Sequence, residues 1–240
     1  LVGVPMASWI GASVGWRGVN YVVGALSLVG AVAMLATTAT SSGGITAKTK
    51  SKPPRLRTAL SGTVLRLLSC VIAERICFGL AAVYYATFML QTYGLSLEVL
   101  ALPLAIFAAG NILGTIGGGQ LGDRLKNRML TFAVALMVAG IVAVLLFGWQ
   151  VGVSVSTGLG FAFMFFNALS RPSLMASLAN VPPEVRGTVM GLNSTAASAG
   201  WLGAAAIGGW ILSTVGFAGF GPFSALLAIL GGILALSGRR

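Results

Sequence analysis

Seven stretches of this chain run for about twenty residues or more with almost no charge: roughly 18–39, 64–93, 97–119, 129–149, 151–172, 187–212 and 215–237. A run of about 20 apolar residues is the length that crosses a bilayer as a helix. In lipid the backbone has no water to bond to, so such a segment must satisfy its own N–H and C=O groups by folding as a helix. Residues 1–14 read as the tail of an eighth apolar segment, cut short. The expected class is therefore an all-α polytopic membrane protein.

Composition supports this. Only 8% of residues are charged and 57% are hydrophobic, whereas a soluble domain carries roughly a quarter charged residues. The 34 glycines suit helices that approach closely in lipid, where small residues form the interfaces. There is no histidine and there are four acidic residues, which argues against a metal site, a cofactor or His-based catalysis. Cys70 and Cys77 lie seven apart on one helical face, about 10 Å apart along the axis. They are expected to be unbridged small apolar residues.

The net charge of +11 would suggest nucleic acid in a soluble protein. Here it reads as cations gathered on the cytoplasmic side. The one extended linker, 40–60, carries Lys48, Lys50, Lys52, Arg55 and Arg57. With this linker inside and the chain alternating, its side collects nine net positive charges and the other side none. That asymmetry requires an even number of spans after the linker, in agreement with six. The linker and the C-terminus are then cytoplasmic. The expected organisation is 1–39, a basic linker 40–60, and a six-helix bundle 61–240. The chain opens on Leu1 within an apolar segment and shows no signal-peptide layout; it is expected to be the C-terminal part of a longer protein.

Four charges are gathered near the turn GGGQLGDRLKNR, 117–128. Gly110, Gly114 and Gly118 lead up to it on one helical stripe, the small-xxx-small pattern of close packing. Asp123 is expected at a helix start, where a carboxylate satisfies free N–H groups. Arg124 and Arg128 are placed to reach carboxylates or helix C-termini.

This turn resembles the signature loop of the major facilitator superfamily. Gly119, Leu121, Gly122, Asp123, Arg124 and Arg128 match it; Lys126 stands where that family usually has Gly. The stretch 3–23, GVPMASWIGASVGWRGVNYVV, is similar to the fifth and early sixth helices of drug- and sugar-efflux members. The stretch 182–209, PPEVRGTVMGLNSTAASAGWLGAAAIGG, is similar to the loop before the eleventh helix and to that helix. The resemblance implies twelve helices in two halves, of which this chain holds part of helix 5 through helix 12 and lacks the first helices. It also implies alternating access about a central site. The charged turn would act either as a cytoplasmic latch, with ion pairs that differ between states, or as a topology anchor.

Ionisable residues inside spans are costly and mark candidate pathway positions. Glu74 lies near the middle of its span; Tyr85 shares its face and Tyr84 is close by. Three roles are open to Glu74: proton coupling, a structural ion pair with Arg75, or substrate contact. Arg171, with Asn167 one turn before it, is read as lying near the cytoplasmic end of its segment. Pro172 is expected to bend or end the helix, and Arg171 to snorkel to headgroups rather than contact substrate, the second role open to it. Asn111 and Asn193 are candidates for interhelical contacts or the pathway. Phe161, Phe163, Phe165 and Phe166 read as packing or lipid surface.

The expected function is secondary transport of a small organic solute, an efflux permease of the plasma membrane that exchanges for protons. Its expected partners are the solute, protons, the lipid bilayer and the missing helices, without nucleic acid. A receptor or scaffold without flux, or a membrane enzyme, are the rival classes; an enzyme would need paired acids, a His or an activated Ser.

Overall fold

The computed structural model describes residues 3–39, 60–125 and 127–237. The linker 40–59, Lys126 and the terminal Arg239–Arg240, all used in the charge argument, lie outside the described residues. Among the described residues seven helices are long and apolar enough to cross a membrane, and there is no strand. Two compact units are present, Leu1–Pro53 and Pro54–Arg240.

The first unit holds α1, Gly3–Ala39. Gly15, at φ 78° and ψ 172°, breaks it into two helical pieces. A Cβ would strain that positive φ. The stretch read as the tail of an eighth span is therefore helical from Gly3 and separated from the next span by one glycine.

The second unit holds α2 (Gly62–Tyr93), α3 (Leu97–Arg124), α4 (Arg128–Gly148), α5 (Val153–Ala179), α6 (Pro183–Thr214), a short 3-10 turn (Phe217–Gly219) and α7 (Phe220–Leu236). Polar caps fix where these helices start. Ser61 accepts from the Val64 N–H, Ser96 from Val99 and Asn127 from Leu130. Gly94, in the left-handed region at φ 63°, closes α2 and donates its N–H to the Leu90 carbonyl, the usual glycine C-terminus.

Two expected boundaries move. The charged turn is largely helical, because α3 runs to Arg124 rather than ending at 119. Asp123 thus sits in the last turn of α3, not at a helix start, and Asn127 caps α4 instead. Likewise α5 continues past Pro172 to Ala179. An interior proline is tolerated in a membrane helix where neighbouring helices and side chains compensate the lost bond.

The packing has an internal two-fold pattern. Helix α3 lies along α5 and α6 lies along α2; α4 lies along α5 and α7 along α2; α4 and α7 pack on each other. Exchanging α2 with α5, α3 with α6 and α4 with α7 reproduces the same neighbours, the relation expected of two three-helix repeats.

The same small-residue device serves both repeats. Gly110, Gly114 and Gly118 on α3 face the backbone of Phe161, Phe165 and Leu169 on α5. On α6, Ala196, Gly200, Ala204 and Gly208 are buried at the same four-residue interval. Gly200 faces Ile72 and Arg75, Ala204 faces Gly79, and Gly208 faces Leu80 and Tyr84, all on α2. Lipid tails supply no hydrophobic drive to bring helices together, so close backbone contact does this work.

Two apolar clusters fill the interior. One, around Val64, Leu67, Phe132, Leu136, Leu178 and Val189, lies toward the α2 start. The other, around Phe88, Phe107, Phe147, Phe163 and Phe220, lies toward the α2 end. Between Val71 and Leu174 of the first cluster and Phe78 and Met164 of the second lies a polar tier.

Candidate functional site

Glu74 on α2 is 1% exposed. It lies within about 5 Å of the midpoint of its helix along the axis. A bare carboxylate there would be costly, and cations answer it. Arg171 of α5 donates its Nε–H to Glu74 Oε1 at 2.8 Å. The same guanidinium donates from Nη2 to Asn167 Oδ1 at 3.1 Å, one turn earlier on α5. It also lies 4.1 Å from the ring centroid of Phe78, a distance at which the ring quadrupole attracts it. Phe78 stands one turn after Glu74 on α2, so one helical face presents both the carboxylate and the platform.

Arg75 completes the tier. Its Nε lies 3.3 Å from Glu74 Oε2, an ion pair without hydrogen-bond alignment, as expected for adjacent helical residues that do not face each other. Its guanidinium lies 5.9 Å from the Phe78 ring. Gly200 of α6 leaves the space from which the Arg75 side chain emerges. Trp201 packs edge-on against Phe78 at 5.3 Å.

The tier is not saturated. Arg75 Nε, Asn167 Nδ2 and Asn193 Oδ1 are buried without a hydrogen-bond partner. A void of about 10 Å³ lies beside Arg75 and Asn193, lined also by Val71, Glu74, Arg171, Leu174 and Met175. That is room for about one water.

Of the residues singled out from sequence, the structure brings Glu74, Arg75, Asn167, Arg171 and Asn193 together. Arg171 does not snorkel to headgroups; it turns inward, because α5 continues past it and Glu74 faces it. Tyr84, Tyr85 and Asn111 lie elsewhere. Tyr84 donates to the Ala205 carbonyl at 2.7 Å, and Tyr85 stacks on Phe107 at 4.3 Å and donates to the Ser156 carbonyl at 3.4 Å. Asn111 reaches Met164 Sδ at 3.9 Å between α3 and α5. Phe163 is buried, and Phe161, Phe165 and Phe166 form ring contacts along α5. Phe78 and Trp201 were not legible as site residues, since an aromatic in an apolar run carries no signal until a cation is seen over it.

The charged turn forms a second polar place. A cavity of about 560 Å³ is lined by Thr63, Arg66, Asp123, Arg124, Arg128 and Asn180, among others. Asp123 makes no ion pair among the described residues. Gly119 has open space where a Cβ would stand, whereas Gly122 lies against Ser173. Cys70 and Cys77 are both free and buried, directed at the carbonyls of Gly231 and Ser224. Among the described residues no three His, Cys, Asp or Glu side chains gather as a metal site.

These features were compared with known proteins. Residues 1–205 match the family model described as Major Facilitator Superfamily. No curated protein matches the chain. The match covers α1 to most of α6, including the charged turn and every member of the buried ionic tier. With seven helices able to span a membrane, two three-helix repeats and this match, the chain is an integral membrane protein of the transporter type and belongs to the major facilitator superfamily.

Proposed function

We propose that the protein is a secondary transporter that exports a small organic solute across the plasma membrane by alternating access, with the Glu74–Arg171 tier in its pathway. The observation that carries this reading is the ion pair itself. It joins α2 and α5, the first helices of the two repeats, near mid-depth. A pair between elements that move relative to each other contributes a differential free energy between states, which a switching equilibrium needs. Export follows the resemblance of 3–23 to efflux members.

Both oxygens of Glu74 are engaged by cations. This favours a gating ion pair over proton coupling as the role of Glu74. Proton exchange, part of the efflux expectation, then has to enter elsewhere. The charged turn, with Asp123 free of ion pairs among the described residues, is assigned the latch role, its partners being met in another state. The linker 40–60 and the C-terminus are placed on the cytoplasmic side by the cation count.

Flux of solute in proteoliposomes of the purified protein tests this reading. A collapse of flux in Glu74→Gln and Arg171→Gln, with insertion retained, is expected. Full flux in both variants removes the tier from the pathway. A cysteine at Lys50 labelled from outside intact cells overturns the orientation.

A further inference from the structure

We infer that the Glu74–Arg171 tier is a receptor for an anionic group, of the carboxylate class, on the transported solute. The inference rests on the transporter reading above and specifies what the site takes.

Charge is the first argument. Arg75 and Arg171 face one carboxylate, so the tier carries one uncompensated positive charge. No other described side chain cancels it. Helix α6 carries charge only at Glu184 and Arg186 near its start, and α7 carries none. Helix α4 has Arg128 at its start, and α3 has Glu98, Asp123 and Arg124 at its ends. The nearest further charged side chain on α2 is Arg66, another cation, about two turns toward the helix start; Cys70 and Cys77, closer by, are neutral buried thiols. Arg75 and Arg171 are only 22% and 16% exposed, so the spare positive charge is partly desolvated, and an anion arriving with the solute offsets that cost.

Hydrogen-bonding capacity is the second. The tier has more donors than acceptors: two guanidinium groups and the NH2 groups of Asn167 and Asn193, against one carboxylate and two amide oxygens. Arg75 Nε and Asn167 Nδ2 are buried and unpartnered. A planar carboxylate matches guanidinium donors in pairs, a geometry that a neutral amide or a cation does not offer.

The walls are the third. Phe78, Val71 and Met175 border the polar groups, so an organic body attached to the anion has apolar surface to lie on. The void of about 10 Å³ is too small for any solute. A carboxylate therefore enters by competing with Glu74 for Arg171, and Glu74 keeps Arg75 as its partner. The solute thus breaks the same pair that ties α2 to α5, and binding is coupled to opening.

Trp201, edge-on to Phe78, offers an optical probe. The purified protein in detergent is titrated with benzoate, hexanoate and lactate, each beside its amide (benzamide, hexanamide, lactamide). Tryptophan emission and the thermal midpoint are both followed. At least one carboxylate is expected to bind saturably, with its amide tenfold weaker or more. Arg171→Gln and, separately, Arg75→Gln are expected to weaken it at least tenfold. Glu74→Gln is expected to tighten it several-fold, because the internal competitor is gone. Amides that bind as well as their acids, or a Glu74→Gln protein that stays folded and binds carboxylate less tightly, overturn the inference. Carboxylate binding without flux in proteoliposomes overturns the transport reading and leaves the anion site. Flux of a neutral or cationic solute by a protein that binds no carboxylate does the reverse.

Discussion

Arg171 and Glu74 stand 97 residues apart in sequence and are joined at 2.8 Å in the interior of the bundle. Each belongs to the first helix of a three-helix repeat, and each is flanked by apolar side chains above and below. Removing Glu74 leaves Arg171 without a carboxylate, and removing Arg171 leaves the buried Glu74 with only the poorly aligned Arg75. Arg171→Ala or Glu74→Ala is expected to cost about 3–5 kcal/mol. The double variant is expected to cost less than the sum of the singles, with a coupling of at least about 1 kcal/mol. Unfolding of the four proteins in detergent measures this, and additive costs would mean that the pair does not act as a unit.

The glycines of α3 are expected to differ sharply in tolerance. A Cβ at Gly114 meets the backbone of Phe165, while a Cβ at Gly119 meets nothing within 4 Å. Gly114→Val should destabilise by about 1–3 kcal/mol or more, as overpacked sites do. Gly119→Ala should be neutral or stabilising by up to about 1 kcal/mol, the helix-propensity gain over glycine. Thermal midpoints of the two variants check the contrast. Equal losses would contradict the α3–α5 register.

Asp123 sits in the last turn of α3, where the helix dipole disfavours a carboxylate. Asp123→Asn is expected to leave the folded protein as stable or more stable, yet to slow transport. The pairing of retained stability with lost rate is what a latch predicts. Unchanged transport would reduce the turn to a topology anchor.

Cys70 and Cys77 are buried and free. Maleimide should leave both unmodified in the folded protein in detergent and modify both after denaturation. Mass spectrometry reads the two states. Rapid labelling of either thiol in the folded protein would contradict the packing of α2 against α7.

Much of the architecture was legible because lipid imposes simple rules. Long uncharged runs must be helices, and the glycine interval of 110, 114 and 118 announces a close contact before its partner is known. The matching interval of Ala196, Gly200, Ala204 and Gly208 was equally visible, but alanine in such a stripe is easily read as filler. Arg171 is the instructive miss. Pro172 suggested a helix end, and an end suggests headgroups. In the folded bundle α5 passes through the proline and carries Arg171 inward.

Sequence by itself determined that this chain lives in lipid as a set of spanning helices, because both the apolar run length and the scarcity of charge are local properties. It also pointed to the family, because the charged turn and the stretches 3–23 and 182–209 are each contiguous motifs. Only the tertiary structure decided which cation answers Glu74, that Phe78 carries the guanidinium, and that three polar groups are left open beside it. Those relations join helices separated by about a hundred residues, and no periodicity along one helix encodes which face of another will meet it.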